Sequence, residues 1–208
     1  LPNWCSNFVE FTHADPAQVQ RVFAAYKRGE LFNEFDPCPL ELLAGVPAGD
    51  DYSARVKAWE EHNEEEHGYK NWYDWCVANW GTKWDIKEIW EDAEGPDPGG
   101  TMIGLSFDTA WAPPVEFYRT MTDEYGFTVE AHYLEEGIGF VGKYTSEDDD
   151  DCYELEDLDL TEVPKDIRDH WDLEDIMVNR AMWDYDDADD SESDNDVTES
   201  EVNNDSAE

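Results

Sequence analysis

Positive charge is scarce in this sequence. Thirteen Lys and Arg face 54 Asp and Glu over 208 residues, a formal net charge of −41. That balance repels polyphosphates and anionic lipid, so it argues against DNA, RNA and acidic membranes as direct partners and for something strongly basic. Long apolar runs are missing too: no stretch of about 18 apolar residues occurs, so no segment reads as a membrane span. The opening residues lack the basic and apolar regions of a secretory leader, and the expectation is a cytoplasmic protein. The four cysteines, Cys5, Cys38, Cys76 and Cys152, form no C-x-x-C pair and sit at no zinc-finger spacing from a histidine. They read as buried or free thiols, not as a disulfide framework.

Aromatic residues are plentiful at 14%, with ten Trp, and most of the apolar content lies before residue 145. The first 145 residues therefore supply a core. Beyond them the character changes. Residues 146–208 hold 27 Asp and Glu against three bases, Lys165, Arg168 and Arg180, or −24 of the total, and contain no glycine.

Residues 5–12 alternate and predict a half-buried strand. Asp15-Pro16 supplies an N-cap and a first helical proline, Val19, Val22, Phe23 and Tyr26 follow at helical spacing, and Gly29 ends the helix. Residues 30–58, with Pro37, Pro39 and Pro47, read as an excursion. Trp59–His67 predicts a short acidic helix and Tyr69–Trp80 a second, closed by Gly68 and Gly81. Trp84–Ile89 and Thr101–Phe107 predict strands on either side of a turn at residues 95–100. Pro113-Pro114 opens a helix stopped by Gly126, and Phe127–Leu134 with Ile138–Tyr144 predict a hairpin. This order is that of the split β-α-β of a ferredoxin-like sandwich with one strand added: an α+β fold, an antiparallel sheet with helices on one face and a helical insertion at about 30–80. Residues 146–183 predict an acidic segment with a helix from Lys165 to Trp183, carrying Ile167, Trp171, Met177, Val178 and Ala181 near one face. Residues 184–208 are too polar to offset their ordering entropy and are expected to be disordered when free.

Several Trp-rich words occur in a telling order: Pro2-Asn3-Trp4-Cys5-Ser6-Asn7, Asn71-Trp72-Tyr73-Asp74-Trp75-Cys76, Asn79-Trp80-Gly81-Thr82-Lys83-Trp84-Asp85, Phe107-Asp108-Thr109-Ala110-Trp111-Ala112-Pro113-Pro114 and Gly137-Ile138-Gly139-Phe140-Val141-Gly142. Over roughly residues 2–145 they resemble the YubB-type ferredoxin-like domain of phages and plasmids. The resemblance implies the fold and a mobile-element origin, and implies no enzymatic activity. The acidic extension departs from that family's pattern.

Catalytic and metal motifs fare poorly. A calcium loop starting at Asp148 would put Cys152 in a ligand position and Tyr153 where glycine is needed. His62-Asn63-Glu64-Glu65-Glu66-His67 is not the spacing that places two imidazoles one turn apart, and reads as a solvated insertion. Gly137-x-Gly139-x-x-Gly142 lies in a hairpin and not at a helix start, so tight β packing accounts for it better than a dinucleotide site. Trp72, Trp75, Trp80, Trp84 and Trp90 resemble a base-stacking platform but lack a basic groove, with Lys70, Lys83 and Lys87 too few for one. Core packing is the simpler reading. The chain is read as a non-enzyme with no metal and no cofactor.

What remains is the acidic extension. Duplex DNA carries one charge per about 1.7 Å of axis, so a net 24 negative charges match roughly 40 Å of duplex. Between 148 and 175, acids interleave with Leu155, Leu158, Leu160, Ile167, Trp171 and Leu173, apolar anchors that hold charges in register. The expectation is a nucleic-acid mimic from a phage that blocks the basic cleft of a host defence nuclease, a restriction or CRISPR effector, in the cytoplasm of an infected bacterium. The residues expected to carry it are Asp148, Asp149, Asp150, Asp151, Glu154, Glu156, Asp157, Asp159 and Glu162, then Asp169, Asp172, Glu174 and Asp175, with Trp171 and Ile176 as apolar anchors. An acidic adaptor for a host transcription or replication protein, binding without competing with nucleic acid, is the alternative. Self-repulsion favours a monomer, with a dimer through Trp171 as the other possibility.

Overall fold

In the computed structural model, residues 3–87 and 94–180 are described. Strand β1 (Trp4–Thr12) is followed by helix α1 (Pro16–Arg28). Asp15 caps α1 by accepting the Ala17 N–H at 2.9 Å, and Gly29 closes it at φ 70°. Four helices come next: α2 (Leu31–Phe35), α3 (Leu40–Leu43), α4 (Tyr52–His67) and α5 (Trp72–Trp80). Then follow β2 (Met102–Ala110), α6 (Val115–Asp123), β3 (Thr128–Glu135), β4 (Phe140–Thr145), β5 (Asp149–Glu154) and α7 (Lys165–Trp171).

The five strands form one antiparallel sheet in the order β2-β1-β3-β4-β5. Both β2 and β3 run antiparallel to β1, so β2-α6-β3 is a split β-α-β with β1 between its strands, and the α+β ferredoxin-like reading holds. Val9, Phe11, Ile103, Leu105, Phe107, Val129, Ala131 and Tyr133 bury one face of the sheet. Onto it pack Val22 and Tyr26 of α1, Phe32 of α2, Trp75 and Trp80 of α5, and Phe117 and Tyr118 of α6. Phe32 sits at the hub, with its ring centroid 4.7 Å from Phe117, 5.7 Å from Trp80 and 5.9 Å from Phe107.

Several expectations change. The excursion at 30–58 contains α2, α3 and the first turns of α4, which begins at Tyr52 and not Trp59. Asp85 explains α2. Its carboxylate accepts the Phe32 and Asn33 N–H groups at 3.0 and 2.9 Å, supplying the N-terminal acceptor that α2's own Glu30 does not. That role takes Asp85 out of any ladder. Residues 84–87 form no strand; residues 88 and 89, the end of that expected strand, lie outside the described residues. The fifth strand is instead β5, so the sheet continues past residue 145. The first compact unit runs to Asp159, and residues from Leu160 form a second. The expected disorder of 184–208 also falls outside the described residues.

The second unit carries Val163, Ile167 and Leu173 as buried side chains. The continuous helix expected from Lys165 to Trp183 is broken. Asp172 takes a left-handed conformation, φ 52°, and ends α7, after which residues 173–180 are again helical. An αL residue cannot continue a right-handed helix. Residues 181–183 lie outside the described set.

Candidate functional site

The four-aspartate run that begins at Asp148 becomes an edge strand, although Asp disfavours strands by its own propensity. Three contacts override that preference. The Asp148 N–H donates to Thr145 Oγ1 at 2.9 Å and tightens the β4–β5 turn. Asp149, at φ 66°, receives Arg119 Nε of α6 at 2.9 Å. Asp150 accepts the Tyr133 hydroxyl at 2.7 Å from across the sheet. Beyond these, Asp151 lies opposite Lys143 in the β4–β5 ladder and Glu154 opposite Phe140.

Gly142 makes the Tyr133 contact possible. It lies between Tyr133 on β3 and Cys152 on β5. A Cβ there would overlap the Tyr133 ring and hydroxyl and the Asp151 carbonyl. The bare glycine lets the tyrosine cross β4 and reach the edge strand. Gly137 and Gly139 serve the β3–β4 turn. The buried Glu135 carboxylate accepts their N–H groups at 3.0 and 3.3 Å, with the Ile138 N–H between. Tight β packing thus accounts for the whole Gly137-x-Gly139-x-x-Gly142 word.

The carboxylates are not equivalent. Asp149, Asp150, Asp151 and Glu154 are exposed on β5, and their side chains alternate between the two faces of the edge. Partial burial raises the Asp150 pKa, opposed by the Tyr133 hydrogen bond and Arg119. The Asp149 hydrogen bond raises the Arg119 pKa further and keeps that cation in place. Glu156 and Asp157 follow in an exposed turn, Asp157 at φ 56°, and Asp159 is exposed just beyond it. Leu155, beside them, is buried and anchors the turn to the first unit.

In the second unit, Glu162, Asp169, Asp172, Glu174 and Asp175 are exposed. Asp169 pairs with Lys165 one turn away, and Glu174 receives Arg168 at 3.4 Å across the αL break. Trp171 and Ile176 are half-buried, beside the buried apolar residues Val163, Ile167 and Leu173. Trp171 stacks edge-on against His170 with centroids 4.8 Å apart.

Sequence reasoning missed Arg119, Tyr133 and Gly142, the residues that fix β5. Only the glycine word hinted at them. Trp75 and Trp80 are core residues, as expected, while Trp90 lies outside the described residues. Cys5, Cys38 and Cys76 are buried free thiols and Cys152 an exposed one, its pKa raised by burial of the sulfur. Among the described residues, no group of three or more His, Cys, Asp or Glu is placed to hold a metal ion, and no helix is long and apolar enough to cross a membrane.

No curated protein matches the chain in sequence. A solved structure, the crystal structure of protein api92 from Yersinia pseudotuberculosis, is similar at 11% identity and a TM-score of 0.36, covering 74% of this chain and 98% of that one. The family model for the ferredoxin-like domain in Api92-like protein matches residues 79–199, from the end of α5 through strands β2 to β5 and into the acidic extension. The chain belongs to the Api92-like family and carries its ferredoxin-like domain.

Proposed function

We propose that this protein imitates the backbone of a nucleic acid and, as a phage-encoded inhibitor, occupies the basic cleft of a host defence nuclease of the restriction or CRISPR type. The observation that carries the reading is the edge strand β5, an acidic strand pinned at Asp149 by Arg119 and at Asp150 by Tyr133. A strand advances about 3.4 Å per residue, the same axial rise as one phosphate per strand of duplex DNA. Because successive side chains alternate, Asp149 and Asp151 stand about two such rises, roughly 6.8 Å, apart on one face and Asp150 on the other, all on a backbone already ordered before the partner arrives. Preorganisation matters because each carboxylate held in place needs no further ordering at the moment of binding. Release of counter-ions and fast capture by a basic cleft supply the driving force, both weakened by salt. Glu154, Glu156, Asp157 and Asp159 extend the same charge along the first unit.

Cleavage of DNA by a restriction endonuclease and by an RNA-guided effector, with and without the full chain, tests this. The variant D148N/D149N/D151N/E154Q removes four charges and spares Asp150, whose carboxylate serves Tyr133. Inhibition by the native chain and its loss in the variant support the reading. Equal inhibition by both rejects β5 as the carrier.

A further inference from the structure

The margin of the sheet away from β5 has different chemistry. Trp4 at the start of β1 and Trp84 line a cavity of about 230 Å³, together with Asp85, Lys87 and the end of β2 at Asp108, Thr109 and Ala110. Trp4 is 45% exposed, so an indole face stands open to solvent beside the cavity. Next to it lies a cluster of rings around one ammonium. Lys83 Nζ is 4.1 Å from the Trp84 ring centroid, 5.0 Å from Trp111 and 5.8 Å from Tyr73. Lys87 Nζ also lies over Trp84, at 4.6 Å. In a chain of net charge −41, these two lysines have ring partners and, among the described residues, no ion pair.

Two further features separate this corner from ordinary packing. Trp111 has φ 68°, a left-handed conformation that a bulky side chain rarely adopts, and its N–H is tied to the Asn3 carbonyl at 2.9 Å. Backbone strain that presents a half-exposed ring beside a lysine marks a constrained surface. Asp108, meanwhile, uses one carboxylate oxygen to accept the Ser6 hydroxyl at 2.9 Å. Its second oxygen has no protein donor among the described residues.

An open indole face, a carboxylate acceptor and two ammonium groups that pair with no carboxylate among the described residues define a ligand. It is planar and aromatic, carries N–H donors on one edge, and bears a compact negative charge. We infer that the cavity is a mononucleotide site. The base lies against the Trp4 and Trp84 indoles, its N–H edge reaches Asp108, and its phosphate reaches Lys83 and Lys87. Charge limits the ligand to a single nucleotide. Lys83 and Lys87 answer one phosphate, because the Asp85 carboxylate in the same lining is taken up by the Phe32, Asn33 and Ile86 N–H groups and Asp108 meets the base, while a longer strand carries its further phosphates beyond a Debye length of about 8 Å into the acidic field of the rest of the chain. The site is independent of the acidic edge and of the mimicry reading.

Titration of the full, ¹⁵N-labelled chain with guanosine 5′-monophosphate tests the inference, followed by the indole N–H resonances of the ten Trp. Saturable movement of the Trp4 and Trp84 signals is expected with Kd on the order of 100 μM, while buried Trp75 and Trp80 stay still. Guanosine, lacking the phosphate, binds about tenfold more weakly. The K83Q/K87Q variant binds the nucleotide about tenfold more weakly and closes the gap between the two ligands. Trp4→Ala, at an exposed position, loses about tenfold with its circular dichroism unchanged. Absence of saturable movement, equal affinity for guanosine and its monophosphate in the native chain, or indifference to both variants overturns the proposal. So does tighter binding of a single-stranded oligonucleotide than of the monophosphate.

Discussion

The Tyr133 hydroxyl donates to the Asp150 carboxylate at 2.7 Å, reaching from β3 over β4 to the edge of the sheet. This one contact ties the folded core to the acidic strand. The phenol is buried along its ring, and burial followed by the neighbouring Asp150 charge keeps its proton in place well beyond neutral pH. The hydroxyl therefore keeps its proton, and can donate, through neutral pH.

Gly142→Ala is expected to destabilise the protein by about 2 kcal/mol or more, because its methyl overlaps Tyr133 and the Asp151 carbonyl at once. Tyr133→Phe removes the hydroxyl and costs about 1 kcal/mol, leaving the sheet intact but β5 less fixed. Urea unfolding gives both values. Amide exchange should quicken along 149–154 in Tyr133→Phe and stay slow in β1. Uniform protection in that variant would show that Tyr133 does not hold the edge.

Glu135→Ala strips the β3–β4 turn of its acceptor and leaves the N–H groups of Gly137, Ile138 and Gly139 unpaired. A loss of about 3 kcal/mol is expected, since hydrogen bonds to a buried charged group are among the stronger ones. Glu135→Gln keeps an acceptor and should recover about half of it. Chemical denaturation of the two variants side by side measures the difference.

Asp36 is a carboxylate that the fold holds at a disadvantage. Burial, and then the Glu124 charge, raise its pKa from 3.8 to about 6. A folded pKa above the unfolded one means the folded state holds the extra proton, so stability falls as pH rises from about 4 to about 6. Above that the penalty is fully present. The shift corresponds to roughly 3 kcal/mol at face value and to about 1 kcal/mol once the solvent reaching this half-buried group is counted. Asp36→Asn should therefore raise Tm at pH 7 and lose its advantage by about pH 4. Thermal melts across that range check both sign and window.

Much of the fold was legible because its signals are local. Asp15-Pro16 and Gly29 bound α1 within adjacent residues, and the hairpin of β3 and β4 follows from alternation around Gly137. What escaped depends on distant partners. Helix α2 rests on Asp85, some fifty residues further along the chain, and its proline-flanked sequence reads as turn when that carboxylate is not in view. The same use of Asp85 removed the expected strand at 84–87. Strand β5 is the clearest case. Consecutive aspartates carry every sign of a solvated loop, and only Arg119 and Tyr133, brought there by α6 and β3, turn them into an edge strand. The acidic residues were visible in the sequence; their register was not.

Equilibrium competition on one basic effector tests the central proposal most directly. Labelled duplex DNA is bound to the nuclease at low salt and the full chain is titrated in. Mimicry predicts displacement of the duplex, an apparent Kd that rises in proportion to DNA concentration, and affinity that falls steeply with salt. The D148N/D149N/D151N/E154Q variant should be displaced from the effector at lower salt than the native chain. A ternary complex, with the chain bound while the duplex stays in place, would contradict the account and favour an adaptor.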